Sequence, residues 1–168
     1  MTADGALLTE RLRLRPLGDG DAKFVTWLLR DNTVRRYLGG AVDPNRLGAA
    51  LDRYLDLSES DRMWLVEARA SWAPLGLVSL TAHEDGEDTE LSYQLDPSAW
   101  GQGYATEAVR RALEVAHHEL GLARVIAETQ AANLSSRRLL GRLGMIEWRC
   151  VERFGCEQVI YAVDLPAP

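Results

Sequence analysis

Cysteine is scarce in this sequence of 168 residues, which has only Cys150 and Cys156. The spacing of these two residues matches neither a zinc knuckle nor a redox Cys-x-x-Cys motif, and no second Cys or His pair completes a metal site. We therefore expect two free thiols in a reducing compartment, the cytoplasm, and no bound metal.

The sequence also lacks a long apolar run and an excess of basic residues. No stretch reaches about 18 apolar residues, and the beginning of the chain resembles no signal peptide, so we expect neither a membrane span nor secretion. With 19 Lys and Arg against 25 Asp and Glu, the formal net charge is −6. An acidic chain is a poor binder of nucleic-acid phosphates, so we expect no nucleic-acid partner.

What is present is typical of a globular protein, with 46% hydrophobic and 26% charged residues. At roughly 150 residues per domain, the length predicts a single domain over residues 1–168. Apolar residues recur with both strand and helix periods, which predicts a mixed α/β fold. The predicted strands cover residues 10–15, 63–68, 74–81, 89–95, 124–129, 146–153 and 158–165. The predicted helices run from 19 or 21 to about 37, then over about 44–57, 104–120 and 134–143.

The most informative segment is a glycine bend, Gly101-Gln102-Gly103, between the predicted strand at 89–95 and a long helix. The first turn of a helix has unpaired N–H groups, and glycines let a ligand approach the backbone, so the bend can hold a phosphate. A tight turn without a ligand has the same pattern. A dinucleotide fingerprint would need glycine at Thr106, and a Walker A loop would need a Gly-Lys pair that the sequence lacks.

Two motifs and the order of elements resemble the GNAT superfamily of acyl-CoA-dependent N-acetyltransferases, over residues 8–161. The family's pyrophosphate motif, Q/R-x-x-G-x-G/A, corresponds to residues 100–105, with Trp100 at the first position. A second family element, Asn-x-x-Ser, corresponds to Asn133 and Ser136. The nearest branch includes the ribosomal-protein N-terminal (alanine/serine) acetyltransferases. The resemblance implies a mostly antiparallel, twisted central sheet of about seven strands with about four helices.

The resemblance also implies acetyl-CoA as cosubstrate and assigns residues to it. The backbone of the glycine bend and the first helical turn would hold the pyrophosphate, and the preceding strand would pair with the pantetheine arm. The N–H of Leu95 would polarise the thioester carbonyl. Asn133 would bond to the cofactor near its pantetheine end, although a simple helix cap has the same pattern. The implied cofactor-binding residues are Tyr93, Gln94, Leu95, Gly101, Gln102, Gly103, Tyr104, Ala105, Thr106 and Asn133.

The catalytic groups are less well defined. Many GNAT enzymes have a tyrosine general acid seven residues after the asparagine, but Leu140 stands there in this sequence. We predict that Ser136 replaces it, the alternative being a small buried serine bonded to its own helix. Glu128 and Glu90 are the candidate general bases, the alternative for each being an exposed strand carboxylate or a strand-end salt bridge. His83 is expected in a solvated turn.

The acceptor is implied only as a class, a primary amine on a peptide or protein N-terminus or on a small molecule. We expect no membrane partner, and the resemblance leaves a homodimer open. Arg137 and Arg138 could reach the adenosine 3′-phosphate, but a solvated helix face is the favoured interpretation. Two other readings remain: an acyl-CoA-binding sensor or inactive subunit, suggested by the missing tyrosine, and a nucleotide-binding module that uses the glycine bend.

Overall fold

The computed structural model describes residues 5–55, 61–84, 86 and 88–166. These residues form a mixed α/β fold with one sheet. The strands are β1 (Leu7–Leu8), β2 (Leu12–Pro16), β3 (Arg62–Ala68), β4 (Pro74–Ala82), β5 (Thr89–Leu95), β6 (Arg124–Gln130), β7 (Ile146–Arg153) and β8 (Cys156–Asp164). The helices are α1 (Ala22–Arg30), α2 (Leu47–Leu55), α3 (Tyr104–His118) and α4 (Leu134–Arg142).

The sheet has the order β1-β2-β3-β4-β5-β6-β8-β7. Neighbouring strands are antiparallel except for β5 and β6, which run parallel. The predicted mostly antiparallel sheet with four helices is confirmed, although the described residues form eight strands rather than about seven. The additional strand is β1, which has 2 residues and is too short to show a period in the sequence.

Helices cover both faces of the sheet. Side chains alternate along a strand, so Trp64 and Val66 of β3 face one side and Leu65 faces the other. Trp64 and Val66 belong to the main core, to which α3 contributes buried small residues such as Ala112. Leu65 belongs to a second cluster with Leu28 of α1. The sheet therefore separates a layer of α3 and α4 from a layer of α1 and α2.

The first predicted helix is shorter than the sequence suggested. We expected it to reach about Tyr37, but α1 ends at Arg30. The Asp31 carboxylate accepts hydrogen bonds from the N–H groups of Thr33 and Val34, both at 2.8 Å. Such a local acceptor competes with the helical pattern and starts a separate 3-10 turn. Within α1, Trp27 is 40% exposed, whereas Leu28 is completely buried.

The second predicted helix is also shorter, because α2 begins after a 3-10 turn at Pro44–Arg46. Its predicted end near residue 57 lies outside the described residues. The long helix and the short helix near the C-terminus agree with the prediction. Asn133 caps α4 as expected, since its Oδ1 accepts from the N–H of Ser136 at 3.3 Å. No helix in the described ranges combines the length and the apolar character that crossing a bilayer requires.

Candidate active site

A cleft of about 1770 Å³ opens where β5 and β6 separate. The two strands pair only at Thr89 with Val125 and at Glu90 with Ile126. Beyond Glu90, residues of both strands line the cleft instead of pairing with each other. The parting of the only parallel pair among the described strands thus opens a large concave surface, which is the usual place for a ligand.

The backbone of β5 presents N–H groups to this cleft. The N–H of Asp96 donates to Leu75 O of β4 at 2.8 Å. Because N–H directions alternate along a strand, the N–H of Leu95 points away from β4, and so does that of Tyr93. The backbone of Gln94 faces β4 instead, so its predicted contact with the cofactor cannot use its own N–H group. The expected oxyanion donor, Leu95 N–H, has the direction that the role needs.

The loop after β5 is tied to the strand by Trp100. Its indole Nε1 donates to Leu95 O at 2.9 Å, although the ring remains half exposed. Trp100 stands where the family pyrophosphate motif usually has Gln or Arg. The indole therefore has a local structural role, which is to hold the glycine bend beside the end of β5.

The glycine bend has the geometry of an anion-binding site. Gly101 has a φ of 72° and Gly103 a φ of 81°, a region that side-chain-bearing residues rarely adopt. α3 begins immediately afterwards, and Ala105 and Thr106 of its first turn line the cleft with both glycines and Tyr104. The unpaired N–H groups of this turn attract negative charge. Within the described stretch 101–106, Gln102 is the exception, since it does not line the cleft.

Glu107 anchors the bend to the N-terminal region of the chain. Its carboxylate accepts hydrogen bonds from Thr9 Oγ1 at 2.6 Å, from Arg11 N at 2.8 Å and from Arg11 Nε at 2.7 Å. Arg11 also donates through Nη1 to Gln102 O at 2.9 Å, and its guanidinium lies 4.6 Å from the centre of the Tyr104 ring. Burial alone would raise the pKa of Glu107, but the hydrogen bonds from Thr9 and Arg11 lower it below its usual value.

We expect Glu107→Gln to weaken acetyl-CoA binding by about 5- to 150-fold, because a lost charged hydrogen bond costs roughly 1–3 kcal/mol. The carboxylate supports the bend above the ordinary glutamate pKa of about 4.3. This support disappears as the pH falls through the lowered pKa that Glu107 has in the folded protein, because the carboxylate then becomes protonated. Calorimetric titration at pH 7 measures the loss of affinity, and a series taken down to about pH 3, below the ordinary glutamate pKa of about 4.3, follows its pH dependence. Glu152→Gln changes an exposed carboxylate on β7 that does not belong to the described cleft lining, so this control should bind like wild type.

A hydrogen bond between two side-chain hydroxyls joins the walls of the cleft. Tyr93 Oη of β5 lies 2.7 Å from Ser136 Oγ of α4, and both residues line the cleft. Burial raises the pKa of Tyr93 to about 12, against the lowering effects of Ser136 and of the charge on Arg142. Ser136 lines the cleft, and so does Leu140, although Leu140 is completely buried.

Asn133 lies beside this pair. Besides capping α4 through its oxygen, it donates through Nδ2 to Thr129 Oγ1 at 3.2 Å. An amide nitrogen has two hydrogens, so one of them is left for a ligand in the cleft. Asn133 lines the cleft, and the cap and the predicted cofactor contact are therefore compatible.

Glu128 of β6 lines the cleft and belongs to a buried charged cluster. Its Oε2 lies 3.1 Å from His83 Nε2 and 3.0 Å from Arg153 Nη1. The expectation that His83 lies in a solvated turn is wrong, because this residue is only 4% exposed. The acidic residues around it in sequence suggested solvent, whereas the side chain turns inward to Glu128.

Glu90, the other candidate base, does not belong to the described lining of the cleft. Burial is the largest influence on its carboxyl group and raises its pKa, and the nearby charge of Glu128 adds to this effect. His83 and a hydrogen bond from Ser92 Oγ, at 3.3 Å, act in the opposite direction. A raised pKa suits a general base, but Glu90 would need a water molecule to reach an amine in the cleft.

Three arginines along the cleft form a cationic rim that the sequence analysis largely missed. Arg110 of α3 and Arg138 and Arg142 of α4 line the cleft, and none has a hydrogen-bond or ion-pair partner within the described parts of the chain. Arg137, which the sequence grouped with Arg138, instead donates to Glu147 Oε1 at 2.7 Å and to Tyr161 Oη at 3.2 Å. Arg138 and Arg142 are four positions apart and therefore share one face of α4, and this spacing was the signal that could have distinguished them from Arg137.

The opposite face of the sheet lines a second part of the same cleft. Gln94 donates through Nε2 to Tyr54 Oη of α2 at 3.1 Å. Ser79 and Thr81 of β4 also line this part, together with Asp61. It is polar and lies beneath α2, on the side away from α3 and α4.

Comparison with known proteins gave one family match, to the model described as an acetyltransferase (GNAT) domain, over residues 11–146. One relative, the FsC-acetyl coenzyme A-N(2)-transacetylase of Aspergillus fumigatus, is 44% identical over 165 residues, with 85% of this chain and 66% of that protein covered. The chain thus spans just under two thirds of that relative.

Two solved structures have a closely similar fold. Spermidine N-acetyltransferase from Vibrio cholerae, in complex with CoA and spermine, has a TM-score of 0.80 at 21% identity, with 93% of this chain and 96% of that chain covered. RimL, a ribosomal L7/L12 alpha-N-protein acetyltransferase in complex with coenzyme A, has a TM-score of 0.77 at 15% identity, with 95% and 97% covered. At such identities the likeness concerns the fold alone.

Proposed function

Since the chain belongs to the GNAT acetyltransferase family and is an acetyl-CoA-dependent N-acetyltransferase, we propose that it acetylates a primary amine by direct attack on the thioester. The observation that carries this proposal is the convergence of three groups on one cleft. These are the free N–H direction of Leu95, the glycine bend before α3, and the carboxylate of Glu128.

The cosubstrate would lie along the cleft with its pyrophosphate on the N–H groups of residues 101–106. Its pantetheine arm would follow β5 where that strand has parted from β6. The rim formed by Arg110, Arg138 and Arg142 would neutralise the adenosine 3′-phosphate, because exposed guanidinium groups bind phosphate well. The chain as a whole is acidic, with a net charge of −6. Three arginines without a partner among the described residues therefore distinguish this edge of the cleft as a site for an anion.

The reaction needs an amine with a free lone pair. An α-amine with a pKa of about 7.7–8.0 loses its proton easily, whereas a lysine side chain near 10.4 needs more help. Glu128 would accept this proton, directly or through water, because its carboxylate reaches the cleft. The amine nitrogen then bonds to the thioester carbon, and the N–H of Leu95 stabilises the oxyanion. The C–S bond breaks last, with Ser136 O–H donating to the departing sulfur.

The acceptor would enter beneath α2, on the side of the sheet away from the rim of arginines. Asp61 and Glu128 line this part and favour a cationic amine. The relatives suggest two acceptor classes: polyamines, by the name of the spermidine enzyme, and protein N-termini, by that of RimL. Both carry a primary amine, which is the common feature of the proposal.

Direct attack predicts that no acetyl group becomes attached to the protein. Cys150 and Cys156, the two free thiols, do not belong to the described lining of the cleft and are not needed as nucleophiles. After incubation with labelled acetyl-CoA and no amine, gel filtration should give protein without label. Stoichiometric label that survives the column and passes to an added amine would contradict the proposal.

A panel of amines tests the acceptor. CoA thiol release would be measured with spermine, with a peptide that has a free N-terminus, and with a peptide whose only amine is a lysine side chain. We expect amine-dependent release with at least one of the three. Release that no amine increases, with acetyl-CoA bound, would contradict amine acetylation.

A further inference from the structure

Two hydroxyl groups lie against each other in the cleft, one on each of its walls. Tyr93 reaches from β5 and Ser136 from the first turn of α4, with 2.7 Å between their oxygens. Ser136 is itself held in place, because Asn133 Oδ1 accepts a hydrogen bond from its backbone N–H at 3.3 Å. The Ser136 side of the contact is therefore fixed by the helix cap, and both residues line the space that the thioester would occupy.

The chemistry of the two hydroxyls decides which one donates. A phenol with an ordinary pKa near 10 is a stronger acid than an alkyl alcohol, so it is the better donor, and the alcohol oxygen is the better acceptor. Each hydroxyl has a single hydrogen. If Tyr93 donates to Ser136, the hydrogen of Ser136 is left free to point into the cleft. If the direction were reversed, Ser136 would have no hydrogen for a ligand.

We propose that Tyr93 is a positioning residue, whose hydrogen bond directs the Ser136 hydroxyl toward the sulfur of the departing CoA. This inference rests on the function proposed above and assigns a role to the side chain of Tyr93, which the resemblance used only for its backbone. Burial keeps the Tyr93 hydroxyl protonated, since it raises the pKa to about 12. The donor is thus available throughout the neutral range of pH.

The inference also accounts for Leu140. The helix position at which the resemblance expects a tyrosine holds a fully buried leucine, with no polar atom to offer. Tyr93 supplies a phenol from the opposite wall instead, on a strand rather than on the helix. Tyr93 acts through Ser136, so these two hydroxyls together replace the single tyrosine hydroxyl that the resemblance expects at the position of Leu140.

The proton and electron balance of the step is simple. The ammonium of the acceptor first loses a proton to Glu128, which passes it to solvent. The freed lone pair forms the new C–N bond, and the nitrogen then loses its second proton by the same route. When the C–S bond breaks, its electron pair goes to sulfur, and this thiolate accepts the hydrogen bond from Ser136. Thiols have a pKa of about 8.5, so the released thiolate takes a proton from solvent near pH 7. Tyr93 keeps its own proton throughout and only fixes the direction of the Ser136 O–H bond.

The test is Tyr93→Phe, which removes the hydroxyl and keeps the ring. We expect kcat to fall about 10- to 100-fold, the value of one hydrogen bond to a developing charge. The affinity for acetyl-CoA, measured by calorimetry, should stay within about twofold, because the hydrogen bond acts on the departing sulfur. A variant with wild-type kcat would overturn the inference.

A second measurement separates positioning from packing. In a Ser136→Ala background, Tyr93→Phe should cause no further loss of kcat, because the hydroxyl that it directs is gone. The same loss in both backgrounds would mean that Tyr93 acts through the core, and would overturn the inference. Tyr161→Phe is the matched control, since that hydroxyl is also bonded, to Glu147 at 2.6 Å, but lies outside the cleft lining. It should retain full activity.

Different results would contradict amine acetylation and the role of Tyr93. If wild-type protein binds acetyl-CoA but releases no thiol with any amine, the proposed function fails. If the wild type turns over and the Tyr93 and Ser136 variants behave independently of each other, the function stands and only the role of Tyr93 is wrong.

Discussion

Replacing Gly103 by valine is expected to abolish acetyl-CoA binding while the protein remains folded. Gly103 directly precedes α3 and lines the cleft where the pyrophosphate would lie. A side chain there would block the approach of phosphate to the backbone N–H groups of the next turn. Each lost hydrogen bond to a charged ligand costs about 1.5–3 kcal/mol, so the loss of two weakens binding by roughly 100-fold or more.

The control for this variant must share its backbone strain. Gly144, which follows α4, has a φ of 82° against 81° for Gly103, with open space around an added side chain, and does not belong to the described cleft lining. Gly144→Val should lose similar thermal stability and bind acetyl-CoA normally. Calorimetric titration of both variants, with circular dichroism to monitor folding, gives the comparison. Equal affinities for the two variants would place the pyrophosphate away from the bend.

Replacing Glu128 by glutamine is expected to lower kcat by about 10²- to 10⁴-fold, the usual contribution of a general base. The amide keeps the size of the side chain and an oxygen that Arg153 can still bond, so the cluster around His83 is preserved. The KM for acetyl-CoA should change little, because Glu128 would act on the amine. Steady-state thiol release at saturating amine measures this prediction, and Glu152→Gln, an exposed carboxylate on β7, is the control.

Glu90→Gln distinguishes the two candidate bases. If Glu128 is the base, the Glu90 variant should lose less than about tenfold in kcat. If Glu90 is the base, Glu90→Gln should lose more kcat than Glu128→Gln. The acid limb of the pH–rate profile should then lie above the ordinary glutamate range, because burial raises the pKa of Glu90. A Glu128→Gln enzyme with more than half of the wild-type kcat would contradict the assignment made here.

The parts of the fold that the sequence predicted well depend on residues close together in the chain. Gly103 before α3 and Asn133 before α4 mark the beginnings of those helices by local chemistry. The end of α1 is equally local, but the side chain of Asp31 competes with a helical pattern that otherwise continues. A two-residue strand such as β1 has too few positions to show any period.

The parts of the site that the sequence did not predict are contacts between distant positions. Arg11 and Glu107 are 96 positions apart, and nothing in the segment around Glu107 indicates its partner. Tyr93 and Ser136, 43 positions apart, were each assigned to the cleft for separate reasons. Their hydrogen bond depends on where α4 lies relative to β5, which no local pattern encodes.

His83 illustrates the same limit in the opposite direction. Its acidic neighbours in sequence favour solvent, and the histidine was accordingly expected in an exposed turn. In the fold, Glu128 and Arg153 provide a buried polar environment, and both lie within hydrogen-bond distance of the Nε2 atom of the ring. Burial of a polar side chain is decided by partners from other strands, so composition around the residue was a poor guide.

Amide hydrogen exchange with and without coenzyme A tests the central claim most directly, which is that the cofactor lies along the parted edge of β5 and on the glycine bend. We predict that binding slows exchange in two segments, residues 91–95 and residues 101–106, since the N–H groups of Leu95 and of the first turn of α3 would gain partners. β8, at Cys156–Asp164, should exchange as before. Protection that is absent from both segments, or confined to another part of the chain, would contradict the account.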